Sequence, residues 1–224
     1  MSLYSVIMLT ARVTDAYGWQ REELLLFNGI YGVIIGIFHM FISINMGRLS
    51  KVIHMGELDG ILVKPIDSQF AVSLWMVNFA TIFRILMALG YSIWIAGQLH
   101  LVVTIPQLVL FVFLACVSLI LLYSLWFLIL TNLIWFSNMT NLVLFMYSFE
   151  SMARFPKEML QQLASFLFVF VMPLALVINT PSRALLSRLD YKDALVVLVL
   201  AGGLWFVSRW YWRFALRHYT SASS

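Results

Sequence analysis

Arg84, Glu150 and Arg154 are the ionisable residues that fall within or at the edge of long apolar stretches of this 224-residue sequence. A charge at mid-bilayer depth costs a few kcal/mol unless it is paired or hydrated, so these positions either line a polar path or tie helices together. Glu150 and Arg154 stand four apart, the spacing of an ion pair on one helix face. His54, Glu57 and Asp59 lie close in sequence but have no second ligand cluster to complete a metal centre. His39 and His100 are isolated, which favours packing or interfacial roles. The sequence contains no Gly-rich phosphate loop and no convergent set of acid, base and nucleophile. The chain is therefore expected neither to hydrolyse ATP nor to perform covalent catalysis.

Polar groups concentrate in residues 47–69, where Arg48, Lys51 and Lys64 face Glu57, Asp59 and Asp67 in sequence. Between positions 49 and 62 the apolar Leu49, Val52, Ile53, Leu58, Ile61 and Leu62 recur at spacings of three and four. This pattern predicts an apolar face on short helices flanked by Gly56 and Gly60, and Pro65 stops it. Such a helix suits docking into a groove on a partner protein. It equally suits lying flat on a lipid surface, and periodicity alone does not choose.

The elements that must position these residues are membrane helices. Hydrophobic residues make up 62% of the chain and charged residues 11%, against about a quarter charged in soluble domains. At about 20 residues per crossing the length accommodates roughly five or six spans and no separate nucleotide-binding domain. The expected spans are about 25–46, 70–97, 108–132, 139–153 and 194–212, with a partial one at 1–13. Residues 107–149 carry no charge and would measure about 65 Å as one helix, twice the bilayer core, so a reversal is expected near 137–141. Cys116, inside this run, reads as a small hydrophobe.

Residues 158–181 are interrupted by Pro173 and closed by Pro181. They form either a full span or a re-entrant pair of half-helices broken at Pro173. The loop at 47–69 with its Arg48, Lys51 and Lys64, and the acid-free tail with Arg209, Arg213, Arg217 and His218, predict the cytoplasmic side, and the Lys- and Arg-free connection at 98–107 predicts the outside. Parity of crossings then favours the re-entrant form.

Three stretches resemble a known family. Gly56-Glu57-Leu58-Asp59-Gly60-Ile61-Leu62-Val63-Lys64-Pro65 is similar to the G-x-L-D-x-x-L-x-K/R-P motif of ABC-2-type permeases, in a bacterial subfamily of multidrug or antibiotic efflux type. Phe155-Pro156-Lys157, followed by Val171-Met172-Pro173-Leu174-Ala175 and Thr180-Pro181, looks like that family's segment before its last span. Arg217-His218-Tyr219-Thr220-Ser221-Ala222 looks like its usual end. The resemblance covers the chain from about residue 18 onward. It departs before Tyr17-Gly18-Trp19, where the family carries an amphipathic helix and a complete first span.

The resemblance implies an all-α, polytopic transmembrane helix bundle of the ABC-2 permease type, with a cytoplasmic coupling helix and re-entrant extracellular helices before the last span. It implies the permease subunit of an ATP-binding cassette exporter, forming half of a translocation path in the bacterial inner membrane, multi-pass. The implied partners are two ATPase subunits, which hold the ATP and Mg, and a second permease, identical or homologous. No cofactor bound by this chain and no nucleic acid is implied. Arg48, Lys51, Gly56, Glu57, Leu58, Asp59, Leu62, Lys64 and Pro65 map onto the ATPase-coupling segment. An alternative of different class is the substrate-binding membrane component of an uptake transporter.

Overall fold

The computed structural model describes residues 18–136, 141–161 and 165–219. The expected partial span at 1–13, most of the expected turn at 137–141 and the end of the C-terminal motif lie outside the described residues. Every regular element among the described residues is helical: α1 Arg21–Phe38, a π-helical turn His39–Ser43, α2 Ile44–His54, α3 Leu58–Leu62, α4 Ser68–Ser73, α5 Thr81–Gln98, α6 Ile105–Thr131, α7 Leu142–Glu150, α8 Lys157–Leu160, α9 Ser165–Leu185 and α10 Tyr191–Arg217. Among the described residues three stretches are long and apolar enough to cross a membrane: Arg21–Ile53, Ile105–Ile134 and Tyr191–Arg217.

Helix starts follow local chemistry. The Glu23 carboxylate accepts from the Gln20 backbone N–H at 3.0 Å in a capping box, and Glu22 and Glu23 complement the positive end of the α1 dipole. Thr104 and Gln107 build the same box at the start of α6, where Pro106 occupies the first turn at no hydrogen-bond cost.

From Arg21 to Ile53 the helix is continuous through the π turn. At 1.5 Å per residue it is about 50 Å long, well beyond the roughly 30 Å bilayer core. α5 runs antiparallel beside its first half, as the pairing order shows: Gly29 meets Tyr91 and Ser92, Gly32 meets Ala88, and Gly36 meets Ile85. A Cβ on Gly32 would stand 2.9 Å from that of Ala88, so the glycine stripe permits the close approach.

The expected span at 70–97 is not one helix. It divides into α4 and α5 around an irregular stretch at 74–80, where α1–α2 makes its π turn opposite. Asn45 compensates the lost ladder by donating from Nδ2 to the Met76 carbonyl and accepting from the Met76 N–H, each at 2.8 Å. The Asn78 N–H donates to the Met40 carbonyl at 2.8 Å. Two weakened ladders thus satisfy each other's backbone groups.

α6 and α10 are parallel, because contacts advance in the same sense along both: Gln107 with Ser187, Tyr123 with Trp205, Phe127 with Trp212. The core between them and α1 is aromatic, with Trp126 tilted against Phe38 at 5.4 Å and edge-on to Tyr147 at 5.1 Å.

The expected break at Pro173 is absent, since α9 runs unbroken through Pro173 and Pro181. A proline removes one backbone donor and costs about 3 kcal/mol in a helix interior. Here residues 174–182 are buried without interruption, and that packing outweighs the loss. The bonded pair Glu158 and Arg183, 2.7 Å apart, places both ends of the 158–183 segment together. Leu160 packs lower on α9, against Val171 and Ala175. Pro173 is therefore not where the segment turns.

Candidate functional site

The 47–69 stretch folds back on the bundle. α2 ends at Met55, and Gly56 takes φ of +71°, a left-handed conformation that favours glycine and turns the chain into α3. Gly60 lies inside α3, not at its flank as expected. Leu49, Val52, Ile53 and Leu58 are buried against α4 and the neighbouring core, with Leu58 0% exposed. The apolar face read from the periodicity is thus largely consumed within the chain.

What the loop offers outward is a second apolar set at its tip. Met55 is 60%, Val63 85% and Ile66 51% exposed, joined by Leu62. Lys51, Glu57, Lys64 and Pro65 are exposed around them, while Arg48 and Asp59 are half-buried.

Three ties hold this tip in place. Two cations lie over the Trp75 ring, with the Arg48 guanidinium carbon at 5.1 Å and Lys64 Nζ at 4.2 Å from its centroid. Behind it a cavity of about 230 Å³ is lined by Asn45, Glu57, Gly60 and Ile61. Asp67, which caps α4 by accepting from the Phe70 N–H, also accepts from both Arg209 amino nitrogens at 2.5 and 3.2 Å. That hydrogen bond holds the Asp67 carboxyl below the usual carboxylate range. Trp212 Nε1 donates to Ser68 Oγ at 3.0 Å, a second link to α10. At the chain's end, burial and then the neighbouring Asp59 carboxylate push the Tyr219 hydroxyl up.

Of the other expected polar residues, Glu150 and Arg154 lie between the helices in a polar column, and Arg84 does not. Glu150 is 2% exposed and joins His39 Nε2 at 2.8 Å, not Arg154 as the four-residue spacing suggested. α7 gives way to a 3-10 turn immediately after Glu150, which rotates Arg154 away. Arg154 instead donates from Nε to the Ser151 carbonyl at 2.9 Å, and its guanidinium lies 5.6 Å from the Tyr31 ring. Ser43 and Tyr147 share a 2.6 Å hydrogen bond one turn along. Arg84 is exposed on α5, within electrostatic reach of Tyr31.

The end opposite the loop is closed by ion pairs: Arg188 with Glu23 at 2.9 Å, Arg183 with Glu158 at 2.7 Å, and Lys157 with Asp193. Among the described residues no group of three or more His, Cys, Asp or Glu could hold a metal ion.

Among the described residues the arrangement is a braced, exposed loop at one end and a polar column leading toward the other. The profile of the ABC-2 family transporter proteins matches residues 1–223. The chain belongs to the ABC-2 transporter family. As an ABC-2 permease it is a membrane subunit of an ABC transporter, distinct from the ABC ATPase subunits with which such permeases associate. No curated protein and no solved structure matches the chain.

Sequence reasoning found the ABC-2 motif and the residues of its loop. It missed His39 as the partner of Glu150, Asn45 as the backbone staple, and the Asp67–Arg209 tie. Asn45 carried a signal, being an amide inside an apolar run. Residues 142 positions apart, such as Asp67 and Arg209, carried none.

Proposed function

We propose that the chain is an exporter permease of the bacterial inner membrane, driven through its 47–69 loop by two ABC ATPase subunits that hold the ATP and Mg. A second permease, identical or homologous, completes the path. The observation that carries this reading is the exposed apolar tip of Met55, Leu62, Val63 and Ile66 on a loop whose inner face is locked to the bundle. A loose loop would absorb a push, whereas one tied through Asp67–Arg209, Ser68–Trp212 and the Arg48–Trp75–Lys64 stack passes it to α10 and α2. The coupling role thus rests on the tip. Leu58 of the expected set acts from inside, by holding α3 down.

The Lys and Arg residues of the loop and the acid-free tail favour the cytoplasmic side for that end. The 158–183 segment leaves and returns to the opposite, outer end. Closure of the ATPases displaces the tip as a rigid body, and the paired irregularities at 39–43 and 74–80 let α1 and α5, which pack together, shift relative to α6 and α10. Glu150, Arg154 and Arg84 then face the path opened between helices.

Co-purification with a co-expressed ABC ATPase tests this. The double variant Val63→Asp and Ile66→Asp is expected to abolish association while the permease stays monodisperse. Undiminished association would overturn the coupling role.

A further inference from the structure

A separate apolar cavity of about 580 Å³ opens between α4, α6 and α10, within the size range of small-molecule sites. Its mouth is formed by the exposed side chains of Phe70, Leu74, Ile120 and Trp205. On a chain surrounded by lipid, that mouth opens to the hydrocarbon near the loop end. Its floor is polar and buried: Gln69, Ser73 and Tyr123.

The floor's hydroxyl donors are spent within it, as is one of the two N–H groups of the Gln69 amide. Gln69 Nε2 donates to the Tyr123 hydroxyl at 3.0 Å. Ser73 Oγ donates to the Gln69 backbone carbonyl at 2.6 Å. The 2.9 Å contact between Ser73 and Tyr123 must therefore use the tyrosine's proton. Both hydroxyl protons are committed, yet the buried Gln69 Oε1 has no partner. A buried acceptor left unpaired is costly, and what it lacks is a donor. At the rim Asp67 and Arg209 neutralise each other, so the site offers no net charge to select an anion or a cation.

We infer that this cavity binds a neutral amphiphile from the lipid phase: an apolar chain lies along Phe70, Leu74, Ile120 and Trp205, and a hydroxyl or amide N–H donates to Gln69 Oε1. The inference needs the membrane but not the ATPase coupling, and the isolated chain suffices to test it.

The chain, reconstituted in phosphatidylcholine nanodiscs, is photolabelled with a diazirine-bearing monoacylglycerol or with the corresponding fatty-acid methyl ester, which has no donor. Adducts are mapped by peptide mass spectrometry. The monoacylglycerol is expected to label positions 70–74, 119–123 and 205–209, with labelling falling roughly tenfold in Gln69→Leu, as loss of one buried hydrogen bond implies. The ester should label wild type and Gln69→Leu alike, at the lower level. Leu74→Trp fills the mouth from an exposed position and should block both probes while the protein stays monodisperse. Equal labelling of wild type by both probes overturns the inference. So does adduct density no higher than on lipid-facing Phe83, Met87 and Trp94. Absent labelling with a disulfide between copies of Leu74→Cys, in a Cys116→Ser background, would give the surface to a second copy and also overturn it.

Discussion

Leu58 and Val63 stand five residues apart in one loop and meet opposite surroundings, 0% and 85% exposed. Leu58→Asp therefore buries an unpaired carboxylate and is expected to unfold the loop or the protein, seen as aggregation on size exclusion. Val63→Asp should leave the elution profile unchanged. At Asp67 the sign of the pH effect follows from Arg209. Its hydrogen bond depresses the carboxyl's folded value. The stabilisation is therefore present above the ordinary Asp value of about 3.9 and is lost as pH falls through the depressed one. Because the pair is substantially exposed, the loss is about 0.2–1 kcal/mol. Acidification from neutral pH to about 3 should lower the Tm of wild type slightly more than that of Asp67→Asn. Inside the bundle, His39→Leu leaves Glu150 unpartnered and should cost about 1–3 kcal/mol in unfolding experiments in detergent. His39→Leu with Glu150→Leu should cost less than the sum of the single changes. Periodicity identified the apolar loop positions correctly but could not say whether their partner lay within the chain or outside it. The Glu150–His39 bond spans 111 positions and leaves no local trace.

At the scale of elements, α5 rests chiefly on α1, and the contact depends on the absence of side chains at Gly29, Gly32 and Gly36. Gly32→Ala places a methyl 2.9 Å from the Ala88 Cβ and is expected to destabilise by about 1–3 kcal/mol. Adding Ala88→Gly should restore most of the thermal stability, which a general loss of helix quality would not allow. The helical class was legible because every backbone group in lipid must be satisfied internally, which forces long apolar helices. Two details were not. Pro173 signals a break when read locally, but the fully buried helix around it overrides the missing donor. The interruption at 74–80 carries no proline or glycine, since it is supported by Asn45 on another helix.

Across the whole molecule, the exposed tip is braced against α10 and α2, and the paired irregularities lie just beyond it, before α5 and the polar column begin. That order, tip then brace then hinge then column, is what the proposed drive by ABC ATPases requires. The loop's polar, amphipathic character was legible in the sequence; the brace was not, because its residues meet only in the folded chain. The account depends above all on the loop facing the ATPases. Val63→Cys, in a Cys116→Ser background, tests this with a membrane-impermeant maleimide applied to intact cells and to inverted membrane vesicles. The account predicts labelling in inverted vesicles and protection in intact cells, and labelling in intact cells would contradict it.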